Sequence, residues 1–238
     1  MAIQNLRAAL ATGMALLCVL SCSAMRVQAG PIGVPNFSFE FPLVNPGTFT
    51  GEIDDWTDIE PCCDGVFRAG EFGQAGAATD GVQIAFLNVD VGEIFQTLGT
   101  NFQVANDYGL SVDVSARSGP GTETIHVVIY QGTIFGQGDL NATNIVSETT
   151  LTGGSGVVAD QFNMFSLTAT AAQVSTAAAV GQPIGIGFFG LNAGSGTTDF
   201  DLDNVRLDST LVIPEPSTML LAVLGLYGLG LRGWRRRS

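Results

Sequence analysis

The sequence has no lysine at all, a single histidine and only four cysteines in 238 residues. Nine arginines stand against 22 acidic residues, for a formal net charge of −13. A chain that binds the phosphate backbone needs a basic footprint, so nucleic acid is excluded as a partner. A zinc site rich in histidine, or a Ser-His-Asp triad, would rest on His126 alone, which stands in the middle of a strand-like stretch. Charged residues make up only 13% of the chain and apolar ones 46%, too hydrophobic for a disordered polymer. No glycine-rich loop stands in the strand-to-helix setting that cradles phosphate, and the 31 glycines read as turn residues. Long amphipathic helices and internal repeats are also missing.

The two ends separate from the body. The first 29 residues contain no acid; Arg7 precedes an apolar stretch over 8–20, and Val27-Gln28-Ala29 puts small or apolar residues at the −3 and −1 places. This is the three-part secretory signal, with cleavage expected before Gly30. At the other end Pro214-Glu215-Pro216 is followed by an uncharged apolar run over 219–231, then by Arg232, Arg235, Arg236 and Arg237. Residues 218–234 would make a membrane helix of about 25 Å at 1.5 Å per residue, with the arginines on the cytoplasmic side. Together these three parts resemble the PEP-CTERM sorting signal of Gram-negative bacteria. The resemblance implies an exosortase-type membrane enzyme as partner, transient anchoring by the C-terminal helix, and a destination in the cell envelope, on the surface or in extracellular matrix.

Three segments follow: a signal peptide over 1–29, a body over 30–211 and a sorting signal over 212–238. Of the 22 acids only Glu215 lies outside the body, and of the arginines only Arg68, Arg117 and Arg206 lie inside it, so the body carries a net charge near −18. Such a surface stays soluble and repels anions.

Within the body the hydrophobic period is two. It predicts strands over 36–41, 82–87, 92–98, 108–115, 124–130, 144–151, 161–170, 183–190 and 199–207, with 169–180 either a short helix or part of a long loop. Clusters such as Ser118-Gly119-Pro120-Gly121 separate them. The fold class expected is all-β, an antiparallel β-sandwich of jelly-roll type. Several fragments, in order, resemble galactose-binding-like jelly rolls, the fold of many carbohydrate-binding modules: Asn36-Phe37-Ser38-Phe39-Glu40, Trp56-Thr57, Asp80-Gly81-Val82-Gln83-Ile84-Ala85-Phe86-Leu87, Ile94-Phe95-Gln96-Thr97-Leu98 and Asp203-Asn204-Val205-Arg206-Leu207. Asp55 departs from the family's Gly before Trp56, and the adjacent cysteines Cys62-Cys63 fall in an atypical insertion.

The resemblance implies a structural calcium held by Glu40 and Asp203, with Asp80 a weaker addition. Strand alternation puts Asp203 on the face of Val205 and Leu207, and a buried carboxylate needs either a cation or hydrogen-bond donors. Backbone amides or Arg206 are the alternative to calcium. Trp56, the only tryptophan of the body, is the candidate for stacking on a sugar ring, with a place in the core as the alternative. For Cys62 and Cys63 a vicinal disulfide, intermolecular pairing and free thiols all stay open. Catalytic residues: none are expected. Among 21 acids no spacing marks a working pair, so a glycoside hydrolase is the least favoured reading. The function expected is a non-catalytic envelope or matrix protein associated with exopolysaccharide, or else a carbohydrate-binding module.

Overall fold

The computed structural model describes residues 27–58, 63–73, 76–117, 124–153, 156–157, 161–191 and 199–212. The strands are β1 (Val27–Ile32), β2 (Phe49–Thr50), β3 (Thr57–Asp58), β4 (Asp64–Arg68), β5 (Gln83–Asn88), β6 (Glu93–Asn101), β7 (Asn106–Ala116), β8 (Thr124–Gln131), β9 (Ile145–Gly153), β10 (Gly156–Val157), β11 (Asn163–Ala169), β12 (Pro183–Leu191) and β13 (Asp199–Leu211). One seven-stranded sheet runs β11-β7-β13-β5-β4-β2, with β1 also paired to β13; the six-stranded second sheet runs β10-β9-β8-β12-β6-β3. The late strands β12 and β13 return to the middle of the two sheets. The expected all-β sandwich of jelly-roll type is what the chain forms. The membrane helix expected over 218–234 lies outside the described residues; among the described residues no helix is long and apolar enough to cross a membrane.

Alternate side chains of both sheets meet in one core: Tyr108, Leu110, Val112 and Val114 of β7, Phe200 and Leu202 of β13, Ile125, Val127 and Ile129 of β8, and Ile184, Ile186 and Phe188 of β12. The period of two predicts this. The segment 169–180 resolves in favour of a helix, α1 (Ala171–Thr176). Its capping box is complete: Gln173 N donates to Thr170 Oγ1, and Thr170 N donates to Gln173 Oε1.

Two sequence expectations change here. Residues 36–41 are a turn, not a strand. Asn36 and Phe39 have φ of 46° and 56°, and the Asn36 amide donates to Phe41 O and Asp54 O. Asparagine tolerates that conformation because its side chain bonds the local backbone. Alternation also breaks within β13. Phe200 and Leu202 lie in the core, and so do Val205 and Leu207. A register shift between Asp203 and Arg206, with Asn204 at φ 54°, inserts the extra residue. Asp203 therefore does not share the face of Val205 and Leu207; it pairs with Asp113 across β7.

A second, smaller apolar cluster joins Phe95, Val128, Tyr130, Ile134 and Phe189. A Cβ on Gly185 would lie 2.0 Å from the Tyr130 ring, so glycine makes room for it. Burial pushes the Tyr130 phenol up to about 12, against a lowering bond with Thr97.

Candidate active site

On the first sheet, away from the core, four phenylalanines converge. Phe49 of β2 is in register with Phe67 of β4, and Phe86 of β5 with Gly65 of β4 and Asp201 of β13. The turn after β4 adds Phe72. The rings meet mostly edge to face: Phe49 with Phe72 at 5.9 Å and 89°, Phe49 with Phe86 at 5.9 Å and 84°, Phe67 with Phe72 at 5.5 Å and 89°. Gly65, at φ 148°, permits this; a Cβ there would lie 2.0 Å from Thr50 O and 2.9 Å from the Phe86 ring. The four rings and Arg117 line a hollow of about 140 Å³. An enclosed apolar cavity of about 150 Å³ takes benzene, so this hollow suits an aromatic ring.

Arg117 follows directly on β7. Its guanidinium carbon lies 4.7 Å from the centre of the Phe67 ring and 5.8 Å from that of Phe86. Its nitrogens donate to Asp199 Oδ2 at 2.9 Å and Asp201 Oδ1 at 2.7 Å. Asp201 is fully buried, while the Asp199 side chain is 22% exposed. Burial raises the Asp199 carboxyl above the ordinary aspartate range, and Arg117 and the Asn88 amide offset this only in part. The arrangement unites an apolar aromatic hollow, a planar cation in its wall, and a carboxyl, bonded to that cation, whose pKa burial raises. A carboxyl with a raised pKa, linked through Arg117 to an apolar aromatic hollow, is a candidate proton donor to an uncharged substrate.

The residues singled out by sequence lie elsewhere. Asp203 Oδ2 accepts from Thr79 N at 2.6 Å, Thr79 Oγ1 at 2.9 Å and Asp80 N at 2.9 Å, and its Oδ1 accepts from Asn204 N at 2.7 Å. Glu40 Oε1 accepts from Val82 N at 2.7 Å and Gln83 N at 2.6 Å. The two carboxylates thus clamp one turn, 79–83, by its amides. Burial pushes Asp203 up to about 6 against the lowering effect of these donors. Calcium needs six to eight oxygens. The atoms facing Asp203 and Glu40 Oε1 here are N–H and O–H donors, and among the described residues no group of three or more acids, His or Cys is placed to hold a metal.

Trp56 is buried, 7% exposed, with its ring 5.2 Å from Phe39 and 6.1 Å from Phe188 and its Nε1 donating to Asn36 O. Its faces are occupied by the core, which corrects the sugar-stacking expectation. Cys63 is disulfide-bonded, and Cys62 lies outside the described residues. So do Pro214, Glu215, Pro216 and the terminal arginines. His126 pairs with Glu148 at 2.7 Å as a strand residue.

The hollow itself went unread in the sequence. Strands β2 and β4 are too short for a period to register, and β4 begins straight after the cysteine pair. The available signal was Phe49, Phe67 and Phe72 bunched in a segment that a plain loop would not fill with aromatics.

Comparison with known proteins corrects the functional expectation. The family model described as HpiC1 cyclase, HpiC1-like, matches residues 30–208, and the PEP-CTERM protein-sorting motif matches residues 212–237. Among curated proteins no sequence matches. An apo cyclase from Fischerella sp. superposes with a TM-score of 0.60 at 18% identity, covering 79% of this chain and 99% of that one. A Stig cyclase, Fisc, from Fischerella sp. TAU, in complex with (3Z)-3-(1-methyl-2-pyrrolidinylidene)-3H-indole, gives 0.57 at 18% identity over 76% and 98%. A cyclase from Fischerella sp. TAU in complex with 4-(1H-indol-3-yl)butan-2-one gives 0.59 at 18% over 78% and 100%. The family match overturns the expectation of a non-catalytic chain, and the sorting motif marks it as exported and recognised by exosortase. The chain belongs to the HpiC1-like cyclase family.

Proposed function

We propose that this protein is an exported cyclase that closes a ring on an uncharged aromatic substrate by proton transfer. The observation that carries the reading is the hollow of four phenylalanines with Arg117 in its wall and Asp199, whose pKa burial raises, bonded to that guanidinium. The substrate's aromatic part lies among Phe49, Phe67, Phe72 and Phe86. Asp199 gives its proton to a carbon–carbon double bond of the bound molecule. A second π bond of the same molecule attacks the cation so formed, making the new carbon–carbon bond. Loss of a proton back to the Asp199 carboxylate restores the enzyme, so substrate and product are isomers and no oxidant or cofactor is consumed. The ring faces stabilise the passing positive charge, and Asp201 fixes Arg117. The indole compounds bound by the two Fischerella cyclases support an aromatic of that class.

The test is incubation of the exported chain with an indole bearing an unsaturated side chain, followed by chromatography for an isomer of unchanged mass. Asp199→Asn should lower the rate about 100-fold or more, the usual worth of a positioned acid. Retention of full activity by Asp199→Asn would remove it from the chemistry.

Delivery completes the proposal. The sorting motif supports a place at the cell envelope or surface, with exopolysaccharide as the surrounding polymer. Calcium is a separate proposal: Glu40 and Asp203, with Asp80, would hold it by giving up amide bonds to the turn 79–83. A ligand of the folded state raises the unfolding midpoint by mass action. A fall of several degrees in EDTA, abolished by Asp203→Ala, is the result calcium requires; an unchanged midpoint overturns it.

A further inference from the structure

The hollow has two fixed walls and two held ones. Phe67 and Phe86 stand on paired strands, and Phe67 is buried. Phe49 and Phe72 are 56% and 46% exposed and sit at or beside turns. The turn carrying Phe72 has left-handed backbone at Gly70, Phe72 and Gly73, with φ of 83°, 52° and 87°. A bulky residue in that conformation persists only where its surroundings hold it. One side-chain bond ties this turn to the one that leads into β2 and Phe49: Glu71 Oε2 accepts from Gly47 N at 3.0 Å. Gly47 is itself left-handed, at φ 76°, and Thr48 N donates to Asn45 O to close that turn. Glu71 thus clasps two turns, one leading into Phe49 and one carrying Phe72, and these two rings meet edge to face in the wall of the hollow.

We infer that Glu71 is a positioning residue for aromatic binding: its bond to the Gly47 amide holds the Phe49–Phe72 pair closed over the ligand. The inference rests on the proposal that the hollow is the substrate site. The bond recorded for the Glu71 carboxylate goes to a backbone amide, so its role here is to position. Its effect belongs in ligand affinity and in KM, with kcat unchanged.

Calorimetric titration of indole into the exported full chain tests this. Loss of one hydrogen bond to a charged acceptor should weaken indole binding about fivefold to tenfold in Glu71→Ala. Glu71→Gln keeps an acceptor oxygen and should stay within about twofold of the parent. Phe72→Ala should weaken binding more, and adding Glu71→Ala to it should cost nothing further, because the clasp acts through the Phe49–Phe72 contact that Phe72→Ala already removes. A merely structural glutamate would lower the unfolding midpoint without this coupling. If the parent binds indole and Phe86→Ala loses it while Glu71→Ala binds as the parent does, the clasp is overturned and the hollow stands. If Phe86→Ala binds indole unchanged, or the parent does not bind it, the hollow falls and the clasp with it.

Discussion

Asp199 and Arg117 form the pair on which the proposed chemistry turns. Arg117 has two carboxylate partners, so the trio carries one surplus negative charge, and burial makes that charge costly. The folded chain therefore holds the Asp199 proton at a pH where the unfolded chain has already released it. The stability Asp199 gives in this way is complete below the ordinary aspartate range and is lost as pH rises through its raised folded value. Cyclisation that uses Asp199 as the acid should decline over that same rise. A pH–rate profile checks this: the descending limb should vanish with the activity in Asp199→Asn, and Asp199→Asn should flatten the acid side of the stability curve. A profile that rises with pH would assign the proton donor elsewhere.

At the scale of elements, a long strand was legible where hydrophobic alternation persists for seven or more residues, as in β7. Three features escaped for physical reasons. Asn204 adds one residue to β13, and one residue is enough to move Asp203 to the other face from that expected. Asn36 bonds its own loop, so the opening motif turns instead of extending. The two-residue strand β2 is held by register with β4 and by the missing Cβ of Gly65, neither of which has a period. The sorting tail was legible because its signal is linear, whereas the hollow is assembled from four separate segments. Gly65→Ala should push β2 off β4, at a cost of about 2–4 kcal/mol from crowding and backbone strain. Urea unfolding reads that loss, and indole titration should show the hollow lost in the same variant. An unchanged unfolding midpoint would mean that β2 is not seated by this contact.

At the scale of the whole molecule, the exported body carries a net charge near −18 around a site that suits neutral rings. The field repels phosphates and carboxylates, and a neutral substrate meets no such barrier. Raising salt should therefore leave KM for a neutral indole substrate nearly unchanged and lower it for an anionic analogue. The expected leader cut before Gly30 adds a constraint of timing. That bond lies within β1 (Val27–Ile32), a strand that pairs with β13. A peptidase requires the stretch single and accessible, and the sheet requires it zipped. If the cut falls there, secretion and folding race for one short ribbon of chain: a molecule that folds before export holds Val27–Ala29, the last residues of the expected leader, in a strand. The precursor folded in the cytoplasm should resist the leader peptidase in vitro, and the same precursor in urea should be cut.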